Sequence, residues 1–120
     1  MHRSLIAAAA LLAASPAFAT GGFECRPVTG AGPVLGIAIG HTVAARLFSA
    51  TLSEGGRKVP VQIGQSWIDS RHLWLDLVDP NATRMEAKLR ATFQPRLRGR
   101  PAMGTLERGG RTYRVRCVEA

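Results

Sequence analysis

The sequence predicts a small all-β domain, an antiparallel barrel or sandwich of about 7–9 strands with one disulfide, preceded by a signal peptide. Three observations lead to this fold class. Apolar and polar residues alternate with a period of two through most of the chain. Glycine- and proline-containing turns separate the alternating runs. The two cysteines stand near opposite ends of the predicted domain, so a bond between them would bring those ends together.

Residues 1–19 have the three-part pattern of a cleavable signal peptide. A positive start, Met1–Arg3, precedes the apolar run Leu5–Ala14, and Ala17–Ala19 places small residues where a signal peptidase reads them. The apolar run is about half as long as the ~20 residues that a bilayer-spanning helix needs. We therefore expect cleavage after Ala19, a periplasmic or secreted protein, no later transmembrane segment, and a single β domain over residues 20–120.

Cys25 and Cys117 are the two cysteines of the chain. An oxidising compartment favours their pairing, and an even number leaves no thiol over. The alternative is half of a metal site, but further Cys or His ligands at zinc-like spacing are missing from the sequence. We predict a disulfide and no metal site. Because the two Cα atoms must then lie within about 7 Å, the first and last strands should be neighbours.

The first half of the domain predicts a series of short strands. Gly55-Gly56 predicts a tight turn between two of them, and Pro60 marks an edge or an irregular position. Residues 29–33 form a loop, because they combine glycines with a proline. The same-face residues of the successive strands are Phe23 and Cys25; Leu35, Ile37 and Ile39; Phe48, Ala50 and Leu52; and Val59, Val61 and Ile63.

Two strands are predicted around Ser70-Arg71, which should form a turn. Residues 65–69 hold Trp67, which we expect in the core, and residues 72–78 place Trp74 on the face opposite Leu73, Leu75 and Leu77. Asp79-Pro80 is typical of a type I turn. Residues 85–93 then alternate strictly, which predicts a strand. A helix remains the alternative, because Met85, Leu89 and Phe93 also recur every four residues.

The last predicted element is a hairpin of residues 104–108 and 111–118 around Gly109-Gly110. Tyr113, Val115 and Cys117 share one face of its second strand. Arg114 and Arg116 share the other face. The hairpin therefore presents basic side chains on the side opposite the predicted disulfide.

Basic residues are concentrated in the C-terminal third of the chain. Lysine and arginine total 16 against 8 acids; loss of Arg3 with the signal peptide leaves 15 basic residues and a net charge of +7. The segment Arg84–Arg116 holds ten basic residues and only two acids, a net charge of +8. Such asymmetry bears on partners rather than on fold.

We expect this basic segment to bind an anionic envelope component, such as lipopolysaccharide, an acidic lipid or a cell-wall polymer. Guanidinium groups match the geometry of phosphate and carboxylate. Nucleic acid is not expected, because no pattern of aromatic and basic residues for reading bases is evident. The alternative is an ordinary solvated surface in a basic protein. The candidate anion-binding residues are Lys88, Arg90, Arg96, Arg98, Arg100, Arg114 and Arg116.

Several segments resemble a group of small exported proteobacterial proteins. The similar segments are Phe23-Glu24-Cys25, residues 65–69, Gly104-Thr105-Leu106 and residues 113–117. The resemblance implies export and a β fold, and it implies no activity. The predicted architecture is also similar to that of periplasmic lysozyme inhibitors, but lysozymes are typically basic and a net charge of +7 would oppose the encounter.

Two other functions remain open from the sequence. Trp74 is a possible interaction face for another exported protein, because exposed aromatic residues often anchor partners. Asp69, His72 and Asp76 are the best candidates for a hydrolase or metal enzyme. However, His72 and Asp76 would stand about 13 Å apart along one strand, and the chain has none of the common catalytic motifs. We therefore predict a non-catalytic protein without a cofactor.

Overall fold

The computed structural model describes residues 21–40, 47–95 and 101–120. The predicted signal peptide and the predicted loop residues Arg96, Arg98 and Arg100 lie outside the described residues. Within the described part of the chain, no helix is long and apolar enough to cross a membrane. The elements of this part are the strands β1 (Gly21–Pro27), β2 (Val34–Ile39), β3 (Leu47–Glu54), β4 (Arg57–Val59), β5 (Gln62–Ile68), β6 (His72–Val78), β7 (Met85–Phe93), β8 (Ala102–Arg108) and β9 (Arg111–Glu119).

All nine strands belong to one antiparallel sheet in the order β4-β3-β2-β1-β9-β8-β7-β6-β5. The sheet curls into a half-barrel. Its two edge strands, β4 and β5, are joined by Pro60-Val61 alone, and β3 contacts β5. A chain that leaves one edge and enters the other after two residues requires a strongly curled sheet. The predicted all-β fold class is confirmed, as a single curled sheet.

The predicted disulfide is confirmed. Cys25 of β1 and Cys117 of β9 are directly opposite in the ladder between these strands, with their Cα atoms 3.9 Å apart. Both residues are fully buried. The bond therefore joins the first and last strands on the inner, concave face of the sheet.

The core covers the inner face and uses one residue in two from most strands. In β7 the buried residues are Ala87, Leu89, Ala91 and Phe93, which confirms the strand over the helical alternative. Met85 begins the same alternation but is 51% exposed, because a bulge shifts the register between β6 and β7 at that end. The other fully or almost fully buried apolar residues of the described strands are Leu35, Ile37, Leu52, Leu73, Leu75, Leu77, Ala102, Leu106 and Val115.

The predicted hairpin turns are confirmed at both glycine pairs. Gly55 and Gly56 have φ values of 59° and 80°, and Gly109 and Gly110 have values of 59° and 77°. Positive φ at two successive residues matches the twist of the flanking strands, and glycine adopts it without a steric penalty. The predicted run 59–63 is instead divided between β4 and β5, which agrees with the irregularity expected at Pro60.

A second bulge lies in β5 between Ile63 and Gln65. Ile63 is opposite Leu77, a core residue, whereas Gln65 is opposite Asp76. Since alternation has a period of two, one extra residue sends every later side chain of the strand to the other face. This bulge determines which face carries Trp67.

Candidate functional site

Trp67 and Trp74 lie side by side on the outer, convex face of the sheet. They are directly opposite in the β5–β6 ladder and are 53% and 41% exposed. The prediction that Trp67 packs in the core is wrong, because the β5 bulge reverses the face on which it lies. Trp74 lies on the face opposite Leu73 and Leu75, as its position in the strand predicts.

Asp69 fixes the position of Trp67. The indole Nε1 of Trp67 donates to Asp69 Oδ2 at 2.8 Å. The backbone N–H groups of Arg71 and His72 each donate to Asp69 Oδ1 at 2.7 Å. These hydrogen bonds, led by that of Trp67, hold the pKa of Asp69 well below its usual range. The carboxylate is therefore ionised and ties the tryptophan to the turn before β6.

Trp74 is contacted by a residue of its own strand and by one of β7. The His72 ring lies 5.1 Å from the Trp74 ring, and the Arg90 guanidinium carbon lies 5.5 Å from the Trp74 ring centre. Arg90 Nη1 also donates to Asp76 Oδ1 at 2.9 Å. The cation is thus oriented by a carboxylate on one side and an aromatic ring on the other.

These side chains enclose a shallow pocket of about 200 Å³ on the outer face. We call it the aromatic pocket. Its floor is largely aromatic, and its polar groups are an amide, a hydroxyl and one ion pair. The residues that define it are Gln65, Ser66, Trp67, Trp74, Asp76 and Arg90.

The three residues of the enzyme alternative are only partly brought together. His72 Nδ1 lies 3.2 Å from both carboxylate oxygens of Asp69, so these two are paired. Asp76 is bonded to Arg90 instead. Because Asp69 also accepts from Trp67 and from the backbone of Arg71, the pair connects Trp67 to the β5–β6 turn. Among the residues that the structure describes, no three His, Cys, Asp or Glu side chains are grouped so that they could hold a metal ion.

Four of the predicted anion-binding residues lie on the outer face of neighbouring strands. Arg90 of β7 is opposite Thr105 of β8, which is opposite Arg114 of β9. Lys88 and Arg116 stand two residues further along β7 and β9, in opposite directions from this row. We call Lys88, Arg90, Arg114 and Arg116 the cationic strip.

Other basic residues of the same segment are bound within the fold. Arg108 Nη1 donates to Glu86 Oε1 at 2.6 Å, and Arg108 Nη2 lies 3.3 Å from Glu54 Oε1. Arg84 also pairs with Glu86, at 3.1 Å. The Arg108 side chain is only 18% exposed. These arginines join β3, β7 and β8, and their charges are neutralised by partners.

Two members of the cationic strip, Arg114 and Arg116, keep their charge. Within the described ranges neither forms an ion pair with an acid, whereas Lys88 lies directly opposite both Asp76 and Glu107. Arg116 is also directly opposite Arg26 of β1, but Arg26 is neutralised by Glu24 at 2.7 Å. Of these two facing arginines, Arg116 is therefore the one without an acid partner in the described part of the chain.

The sequence alone does not identify Trp67 and Gln65 as residues of this site, and it does not reveal the pairing of Asp76 with Arg90. One signal was available for the first two, because Gly64 interrupts an alternating run and an isolated glycine in a strand pattern suggests a bulge. The ion pair joins residues of different strands, and only the register reveals it. No family model, curated protein or solved structure matches this chain.

Proposed function

We propose that this protein is an exported, non-catalytic binding domain that holds an anionic component of the cell envelope on its cationic strip. The shared chemistry of such a component is a phosphate or carboxylate group. The observation that supports the proposal most strongly is the pair Arg114 and Arg116, two exposed arginines on the outer face of β9 that have no acid partner among the described residues.

The spacing of this pair suits an anion. Residues two apart in a strand project from the same face about 7 Å apart. Thr105, directly opposite Arg114, is small and carries a hydroxyl donor. The two long guanidinium side chains therefore have room to bind one phosphate or carboxylate together, or neighbouring groups of the same ligand. Arg90 is bonded to Asp76 and lies against Trp74, so its guanidinium is directed towards β6.

The distribution of ion pairs among the arginines also supports the proposal. The fold neutralises Arg84, Arg90 and Arg108 with acids that lie nearby. Among the described residues it leaves Arg114 and Arg116 without such acids. Arg116 faces Arg26, but Arg26 is itself paired with Glu24, so Arg116 is the cation of that facing pair that lacks a partner in the described residues. A bound anion would supply the missing counter-charge, which gives binding a favourable electrostatic contribution.

The test is a binding measurement with two anion sources. Purified protein is titrated with vesicles containing phosphatidylglycerol and, separately, with purified lipopolysaccharide, each over a series of salt concentrations. The variant is Arg114→Gln/Arg116→Gln. The matched control is Arg57→Gln/Lys58→Gln, which removes two exposed cations from β4, away from the strip.

We expect the strip variant to lose about tenfold or more in affinity for at least one source. The control variant should bind as the unaltered protein does. Affinity of the unaltered protein should fall as salt rises, since exposed charges are screened. Equal affinities of the two variants, or binding that does not depend on salt, would contradict the proposal.

A further inference from the structure

The aromatic pocket and the cationic strip share Arg90 and form one continuous row. Strand spacing makes this row about 19 Å long from its first to its last member. It runs perpendicular to the strands, across the outer faces of β5 to β9. A surface of that length suits an extended polymer better than a small ion. In order, the row consists of Trp67, Trp74, Arg90, Thr105 and Arg114.

The pocket end of the row is held in place before any ligand arrives. Trp67 is bonded to Asp69, which is itself held by two backbone N–H groups. Trp74 contacts His72 and Arg90. Groups that are already ordered lose less conformational entropy on binding. Two exposed indole rings held in this way form a prepared surface rather than two mobile side chains.

The chemistry of the pocket matches a sugar ring. A pyranose has a face of C–H groups, which packs on an aromatic ring, and a rim of hydroxyl groups, which need donors and acceptors together. The indoles of Trp67 and Trp74 supply the apolar surface. The Asp76–Arg90 pair supplies an acceptor and donors at one edge, and the Gln65 amide supplies both.

Charge separates the pocket from the strip. Asp76 neutralises Arg90 at 2.9 Å, so the pocket itself does not favour a free anion. In the described residues, arginines without an acid partner begin at the far end of the row, at Arg114, and continue along β9 at Arg116. A lipid headgroup would use these arginines and leave the tryptophans unused, and burying an acyl chain against Asp76 and Arg90 would desolvate charged groups. A chain of sugars with acidic groups uses both ends.

We infer that the outer face of β5 to β9 binds an acidic polysaccharide. One sugar ring packs on Trp67 and Trp74, and the carboxylate or phosphate of a nearby unit lies on Arg114 and Arg116. The inference rests on the proposed function, which it narrows from anions in general to one class of polymer.

The experiment compares an oligogalacturonate of four units, its neutral methyl ester and phosphatidylglycerol vesicles. Binding is measured by calorimetry and by tryptophan fluorescence on the purified protein. The variants are Trp67→Ala, Trp67→Phe and Trp74→Ala. The matched control is Met85→Ala, which removes another exposed large apolar side chain at the far end of β7. Circular dichroism checks that each variant is folded, and the exposure of both tryptophans leads us to expect that it is.

We expect each tryptophan-to-alanine variant to lose about tenfold in affinity for the oligogalacturonate. Trp67→Phe should keep part of that affinity, because it keeps an aromatic face. Vesicle binding should be unchanged in all three variants, and Met85→Ala should bind every probe normally. The neutral ester should bind more weakly than the acid, yet with the same dependence on the tryptophans.

Failure of the inference is distinguishable from failure of the proposed function. Vesicle binding that depends on Arg114 and Arg116, with no binding of the oligogalacturonate, would overturn the inference and leave the proposed function intact. If Trp67→Ala and Trp74→Ala both bind the oligogalacturonate as tightly as the unaltered protein does, the inference is likewise overturned and the proposed function stays intact. Absence of binding to every anionic probe would overturn both. A dimer in sedimentation that Trp74→Ala dissociates would assign this face to a second copy of the chain and overturn the inference.

Discussion

Two neighbouring pairs in the β1–β9 ladder differ completely in what they do. Cys25 is opposite Cys117 on the inner face, and the next pair along, Arg26 and Arg116, lies on the outer face. The first pair is fully buried and covalently joined. The second is exposed and consists of two arginines, of which Arg26 is paired with Glu24. One residue of offset separates a pair that stabilises the fold from a pair that the fold tolerates.

The same difference between the inner and outer faces holds over the whole sheet. In β7 the inner residues Ala87 and Leu89 are about 1% exposed or less, while the outer residues Lys88 and Arg90 belong to the cationic strip. Burial of apolar area provides the stability. The outer positions contribute little to this burial, so charged and aromatic side chains there lower the free energy of unfolding only slightly.

The largest effect is expected from breaking the inner pair. Closing a loop of 92 residues is worth about 4–5 kcal/mol in the entropic treatment of disulfides. Cys25→Ala/Cys117→Ala should therefore lower the free energy of unfolding by about that amount, a large part of what a small domain has. Urea unfolding of the variant and the unaltered protein measures it. A loss below about 1 kcal/mol would mean that the ladder alone holds the two strands.

An intermediate effect on stability is expected from replacing Asp79. It extends the comparison of buried and exposed positions to polar side chains. Asp79 and Asp69 stand at opposite ends of β6, and both accept backbone N–H groups. Asp79 is 5% exposed, and it accepts from Thr83 and Arg84 at 2.7 and 2.8 Å. Asp79→Ala should lower the thermal midpoint more than Asp69→Ala does, because the hydrogen bonds to the buried Asp79 carboxylate are better shielded from water than the exposed ones to Asp69. Calorimetry at pH 7 compares the two variants, and equal losses would contradict this.

The same carboxylate predicts a dependence on pH. Hydrogen bonds, first that from the Arg84 backbone, lower the pKa of Asp79 to about 2 in the folded protein, against about 3.9 when unfolded. Its contribution to stability is therefore complete above about pH 4 and is lost as the pH falls towards 2. Between these limits the thermal midpoint should fall through this group. In Asp79→Asn the thermal midpoint should decrease less between about pH 4 and about pH 2. An unchanged decrease in this variant would mean that other carboxyl groups cause it.

The smallest effect on stability is expected from the outer pair. Arg116→Gln removes a charge that faces Arg26 and has no acid partner among the described residues. The free energy of unfolding should stay within about 0.5 kcal/mol of that of the unaltered protein, with a change towards greater stability. Urea unfolding measures it. A loss above 1 kcal/mol would show that the outer face also supports the fold, and the division between faces would then fail.

Much of the fold could be predicted because its signals are local. Strand alternation in β6, β7 and β9, the glycine pairs and the Asp79 turn depend on a few consecutive residues each, and these are found as expected. The candidate site is harder to predict from the sequence. Trp74 was placed on the correct face by its own strand, whereas Trp67 was misplaced because a single bulged residue reversed its side.

By itself, the sequence determined which residues share a face in each uninterrupted strand, where the chain turns, and which two sulfurs were available to pair. Only the tertiary structure decided which arginines are neutralised, since Arg108 meets Glu54 and Glu86 from distant parts of the chain. It also joined Trp67, Trp74 and Arg90 into one row. The physical reason is that facing within a strand follows from backbone geometry, whereas neighbours across strands follow from register, which bulges and closure of the sheet set together.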